Sequence, residues 1–141
     1  MRRWLISALF LLIAVVFITE ACQNQQDITF ARYYTNGQAL YGKHCQNCHN
    51  ADGSGLGALI PPLTDTVFLR NNRDNLACII KHGLEDTITV KGKTFNEKMP
   101  ANHQLPEMDI AALVTYITNT FGNKQGLYDV AEVGKALQNC K

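Results

Sequence analysis

Cys45-Gln46-Asn47-Cys48-His49 is the stretch on which the reading of this chain turns. Its two cysteines are three residues apart, so on a helical turn both sulfurs face the same side. His49 follows directly and offers a ring nitrogen to a metal. A thioredoxin-like dithiol needs a βαβ setting, and none surrounds these residues. A zinc site needs a second ligand pair at suitable spacing, and the sequence supplies none.

The compartment decides what remains. Arg2 and Arg3 form a positive start, and Trp4 to Ile18 is apolar apart from Ser7. Thr19, Glu20, Ala21 and Cys22 end that stretch, and a polar run follows. This is the pattern of a secretory signal over residues 1–21. The apolar part falls short of the roughly 20 residues that span a bilayer comfortably, which makes an uncleaved membrane anchor the second choice. In an exported, periplasmic protein, Cys-x-x-Cys-His reads as covalent attachment of one haem c through Cys45 and Cys48, with His49 on the iron.

Cys22 sits where a bacterial lipoprotein signal carries its lipidated cysteine, with a small residue before it. Thr19 and Glu20 depart from that pattern. The alternative is an ordinary signal or anchor with an incidental cysteine. Cleavage before Cys22 removes two arginines and one glutamate from 13 basic and 12 acidic residues, which leaves the charges balanced. A chain without net charge argues against nucleic acid as a partner. Cys78 and Cys140 complete the five cysteines. A bridge between them leaves no spare thiol in a compartment where disulfides persist. The other reading is two separate thiols, one buried and one at a frayed end.

Residues 22–33 read as a linker. Thr35 is placed to cap a helix that runs through Tyr41 into the cysteine motif. Residues 50–62 hold glycine and proline at a density that forbids a regular element. Asp65 opens a short helix, and Asp74 caps a second that carries Leu76, Cys78, Ile79 and Ile80 and stops at Gly83. Ile88 to Val90 alternates, Lys91-Gly92 turns, and Thr94-Phe95 resumes, which predicts a small hairpin. Pro106, Glu107 and Asp109 open the clearest helix, with Met108, Ala112, Leu113, Tyr116 and Ile117 as its apolar positions and Gly122 at its close. A last helix is expected over residues 129–139. The fold class is all-α, with long loops and little β.

A second iron ligand has to come from far along the chain. Met99 precedes Pro100 on a loop after the hairpin, and a thioether is a soft ligand that raises the potential relative to a second histidine. Its bland alternative is a gap-filling core methionine. His82 and His103 are the other candidates, read as surface residues. Leu59, Ile60, Leu63, Phe68, Leu76, Ile79, Ile80, Ile88, Val90 and Phe95 are expected to line the site and exclude water.

Residues 34–122 resemble a class I cytochrome c domain, followed by a C-terminal extension, 123–141. Gly37 and Tyr41 resemble that family's N-terminal helix where it crosses the C-terminal one. Leu113, Tyr116 and Ile117 resemble the facing surface. Gly53-Ser-Gly-Leu-Gly57 with Ile60-Pro61-Pro62-Leu63 is similar to the family's loop beneath the haem. The resemblance implies four to five helices wrapped around one haem, with a small hairpin. It also implies that a proline carbonyl, Pro62 by position, accepts the N–H of His49.

The function expected is one-electron transfer in a respiratory chain by a mono-haem cytochrome with both axial positions filled. Its partners are a redox donor and acceptor, such as an oxidase, reductase or dehydrogenase, met at a membrane surface through an N-terminal lipid or anchor. Such a protein is an electron carrier or an electron-transfer subunit of a larger complex, not an enzyme. The alternative is a haem-based enzyme or gas sensor with a displaceable sixth ligand. Lys81, Lys91, Lys93 and Lys98 either ring the docking face or belong to a mixed surface with Glu85, Asp86 and Glu97.

Overall fold

The structure, a computed structural model, describes residues 2–140, apart from the side chains of 2–3, 5–8, 10 and 13–24. The readings of the 1–21 signal and of lipidation at Cys22 lie outside the described side chains. Among the described residues no helix is long and apolar enough to cross a membrane.

Helix α1 is Arg2–His44. Residues 22–33, expected as a linker, are therefore helical. No glycine or proline interrupts the chain before Gly37, and nothing local breaks the helix. Thr35 accordingly sits inside α1 and caps nothing. Residues up to Arg32 form one compact unit, and a second begins at Tyr33.

In the second unit the end of α1 is followed by α2 (Gln46–His49), α3 (Thr66–Asn71), a 3₁₀ turn (Arg73–Asn75), α4 (Leu76–His82), the hairpin β1 (Ile88–Val90) and β2 (Lys93–Phe95), α5 (Glu107–Ile117) and α6 (Val130–Leu137). The strands pair antiparallel with Ile88 opposite Phe95 and Val90 opposite Lys93. Both turn residues have positive φ, 48° at Lys91 and 72° at Gly92. A two-residue turn of that handedness matches the twist of its strands.

Asp65 caps α3 by accepting from the N–H groups of Val67 and Phe68, and its other oxygen accepts from Lys91 N. Burial pulls its pKa up, but the hydrogen bonds from Lys91, Phe68 and Val67 outweigh that and hold it below the usual carboxylate range. A depressed carboxylate adds stability above its unfolded pKa and loses it as pH falls through the folded value. Asp65→Ala is expected to cost about 1–2 kcal/mol at neutral pH. The difference from wild type should shrink on acidification below pH ~4. Urea unfolding of both proteins at several pH values checks this. Asp74 is not a cap: it lies within the 3₁₀ turn, and α4 starts without a side-chain cap.

Helix α5 is the centre of the core. Its residues Ile110 to Ile117 are all buried. A helix apolar all round needs cover on every side. On one side α1 crosses it at Gly37, where a Cβ would lie 2.0 Å from Ala112 O. Tyr34 and Tyr41 pack against Tyr116, and Phe121 closes the aromatic cluster. Met108, expected in this core, is 51% exposed. It stands in the first turn, before the fully buried run from Ile110 to Ile117 begins.

Residues 123–140 belong to the same core. Tyr128 and Val133 are buried, and Thr115 Oγ1 both accepts from Tyr128 N and donates to Tyr128 O. Asp129 and Glu132 form a reciprocal capping box at the start of α6. Arg73 reaches across to pair with Glu132, donates to Leu127 O at 2.9 Å and lies over the Tyr128 ring. A disulfide joins Cys78 in α4 to Cys140, closing a separation of 62 residues. Replacing both cysteines with serine is expected to cost about 2–5 kcal/mol. Denaturant unfolding of wild type and variant measures it.

Candidate haem site

The cysteine motif forms a single helical turn set off from α1 by a break at Cys45. His49 N donates to Cys45 O at 3.0 Å, and Gly55 N returns to His49 O at 3.1 Å. Asn50 adopts a φ of 62°, and its side chain holds the following loop through Gly55 O at 2.6 Å and Ser54 Oγ at 3.0 Å. Buried Tyr41 ties its hydroxyl to Asn50 O at 2.6 Å. Gly55, at φ 70°, is where the loop passes closest to its own return. A Cβ there would sit 2.3 Å from Ile60 O and 2.8 Å from Pro61 O.

That approach brings Pro61 O within 3.1 Å of His49 Nδ1. The carbonyl is Pro61's, not that of Pro62 as family position implies. Leu56 and Ile60 pair through two backbone hydrogen bonds and close the loop early, so the residue directly after the closure meets the ring. Pro62 remains on the cavity wall. A carbonyl only accepts, so Nδ1 carries the proton and Nε2 keeps its lone pair for a metal. Burial draws the His49 pKa down, against the opposing pull of the Pro61 carbonyl. The neutral imidazole is the ligand form.

Cys45 is half-buried and Cys48 exposed, and neither is in a disulfide. Burial, then the neighbouring Cys48, pushes the Cys45 thiol up to about 11. Such a thiol stays protonated at neutral pH.

Both cysteines and His49 line a cavity with about 1370 Å³ of empty space, part of it open to solvent. All ten apolar residues expected around the site lie on its wall, Ile60 among them. Met99 lines the same cavity from the loop after β2. Its backbone is clamped to Leu84 by hydrogen bonds of 2.9 and 3.0 Å. His49, Met99 and the two thiols supply nitrogen and sulfur donors at a largely apolar cleft. That set fits a haem.

Sequence reasoning missed several parts of this wall. Leu84, Pro100, Asn102 and Leu105 line it, as do Leu113, Val114 and Ile117 of α5. The α5 residues carry a signal in their spacing, but the loop residues carry none. His44 also reaches the cavity. His82 and His103 are exposed and off the wall. Three of the four lysines named above have partners. Lys81 is tied to two carbonyls, Lys91 donates to Thr64 Oγ1, and Lys98 pairs with Glu85 at 3.1 Å.

Residues 33–117 match the family described as cytochrome c oxidase, cbb3-type, subunit III. The chain belongs to this family. Its similarity extends to cytochrome c-552 of Thermus thermophilus, 29% identical over 92 residues, covering 62% of this chain and 70% of that protein. The cytochrome c-552 of a second strain of that organism is also 29% identical, with 62% of the relative covered. The cytochrome c subunit of a quinone alcohol dehydrogenase from Gluconacetobacter polyoxogenes is 32% identical over 104 residues, 70% of this chain but 22% of that protein. The chain thus spans from about a fifth to about two thirds of the length of these relatives. The fold is a class I cytochrome c domain, and its function is electron transfer.

In this cytochrome c domain Gly83 positions the Met99 segment. It ends α4 at φ 81°, and a Cβ there would meet Met99 O at 2.4 Å. Gly83→Ala is expected to cost about 1–3 kcal/mol through strain and displaced backbone. Met99 should retreat with it. Thermal unfolding, read together with the visible spectrum, should show the variant losing its native spectrum at lower temperature than wild type.

Proposed function

We propose that this is an exported mono-haem c-type cytochrome that passes single electrons between membrane-associated redox proteins. The observation that carries the proposal is the convergence of Cys45, Cys48, His49 and Met99 on one apolar cleft, with His49 Nδ1 held by Pro61 O. Cys45 and Cys48 would anchor the group by thioether bonds, with His49 and Met99 as axial ligands. Bound haem supplies one-electron chemistry at an iron whose potential the axial ligands set. The chain does the rest. Pro61 fixes the His49 ring, Leu84 and Gly83 fix Met99, and the apolar wall keeps water away. With His49 and Met99 both on the metal, substrate would have no route to it, which supports a carrier over an enzyme or gas sensor.

Electrons would pass where the cleft opens near exposed Cys48. Leu56 and Leu59, a few residues further along the chain, are more than half exposed, and Leu59 is also on the wall. Such an edge suits weak, short-lived docking. The family's name and that of the alcohol dehydrogenase relative both describe subunits of larger redox assemblies, which supports an oxidase or dehydrogenase as partner. A lipid on Cys22, or an uncleaved N-terminal helix, would hold the domain at the periplasmic membrane surface.

Mass spectrometry of the exported protein under denaturing conditions tests the attachment. One haem retained per chain, and lost when Cys45 and Cys48 are both serine, is the expected result. A chain that releases its haem on denaturation overturns it. The same spectra report the mass of the N-terminus and with it the fate of Cys22.

A further inference from the structure

Two histidines have no part in the site described. His82 closes α4, and His103 lies in the loop before α5. Both are exposed, and their ring centroids are 5.8 Å apart. The backbone that carries them is stitched together. Lys81 Nζ donates to His103 O and to Leu105 O, each at 2.8 Å. Asn102 donates to Ile80 O from its backbone N at 3.2 Å and from its side chain at 3.4 Å. The two rings therefore stand side by side because their neighbours are bonded, not because the rings hold each other.

We propose that His82 and His103 form a surface site for a divalent transition-metal ion such as Zn²⁺. Two imidazoles that share one tetrahedral ion, at N–metal distances of about 2.0–2.1 Å, have ring centroids about 5–6 Å apart. The observed separation falls within that range. Both side chains are exposed, and rotation about χ1 and χ2 would bring one nitrogen of each to the ion. An all-nitrogen donor pair selects zinc, copper or nickel over calcium or magnesium, which take oxygen ligands. Among the described residues no third histidine, cysteine or carboxylate completes a cluster, so water fills the remaining positions. The Lys81 ammonium is engaged by two carbonyls.

An ion there ties the end of α4 to the segment that follows Met99. Gly83 already brings α4 against that segment, and the ion adds a second cross-link on the outside. The inference does not rest on the haem reading.

Titration of the exported holoprotein with Zn²⁺ in a calorimeter tests it. The expected result is one ion per chain, with affinity reduced roughly tenfold or more by either His82→Ala or His103→Ala. Saturating Zn²⁺ should raise Tm in wild type and leave the double variant unmoved. Absence of binding by wild type overturns the proposal, as does undiminished binding by the double variant. Loss on removing only one of the two histidines also overturns it, because the ion is then not shared. The visible spectrum of each variant should match wild type. A changed spectrum would put one of these histidines on the iron and overturn the surface site.

Discussion

Replacing Met99 with alanine is expected to abolish the weak red-edge sulfur-to-iron band of the oxidised protein. The reduction potential should fall by on the order of 0.1–0.2 V, well inside the ~0.8 V that axial ligands span. The reasoning is ligand chemistry. A thioether is a soft donor and favours the reduced metal relative to water or a second imidazole. The chain should stay folded, because the clamp on this segment is made by backbone. Met99 N and O pair with Leu84, and neither bond needs the side chain. Optical spectra and a potentiometric titration of both proteins read the result. An unchanged spectrum would mean that Met99 is not a ligand. The enzyme or sensor reading would then lead, and carbon monoxide binding to the reduced wild type would be the next test.

Gly37→Ala is expected to give the largest loss of stability, about 3 kcal/mol or more, at the upper end for overpacking. The added Cβ would stand 2.0 Å from Ala112 O and 2.7 Å from both Ala112 C and Tyr116 Cβ. Two of these atoms are backbone of the most buried helix in the domain, and they have no flexible end to give way. The helices must part, which opens the aromatic cluster of Tyr34, Tyr41, Tyr116 and Phe121. Leu113, Val114 and Ile117 of α5 line the cavity, so the damage should reach the site. Against a total of about 5–15 kcal/mol for a domain, such a loss endangers folding. Gly42→Ala is the control. In the same helix, its Cβ would meet only Gln46 Oε1, at 3.8 Å. Helix propensity then predicts no loss, or a gain of up to ~1 kcal/mol. Guanidinium unfolding of the two variants separates overpacking from a general intolerance of glycine replacement.

Much of the candidate site was legible because its chemistry is local. Cys45, Cys48 and His49 are adjacent, and one helical turn sets their relation whatever the rest of the chain does. The hairpin was legible for the same reason, since Lys91-Gly92 supplies the two positive φ angles its turn requires. The apolar wall was legible because few other uses exist for that many large aliphatic residues around a glycine-rich loop.

Where the reading failed, the deciding contact was long-range. Position alone pointed to Pro62, but the hydrogen bond goes to Pro61, because the Leu56–Ile60 closure sets which carbonyl meets His49. Met108 fitted a helical stripe, yet it stands in the first turn, before the part of α5 that its neighbours cover on every side. That residues 22–33 are helical was not foreseen, although the segment lacks the glycine and proline that would break a helix.

The sequence by itself determined the Cys-x-x-Cys-His motif, the class I cytochrome c likeness and the order of most elements, all of which rest on spacing within a few residues. Only the tertiary structure decided which carbonyl orients His49, how Gly83 admits the Met99 segment, and that His82 and His103 stand together. Those depend on distances of 2–6 Å between residues far apart in the chain. Such distances are set by packing, where backbone and side chains from several elements compete for the same volume.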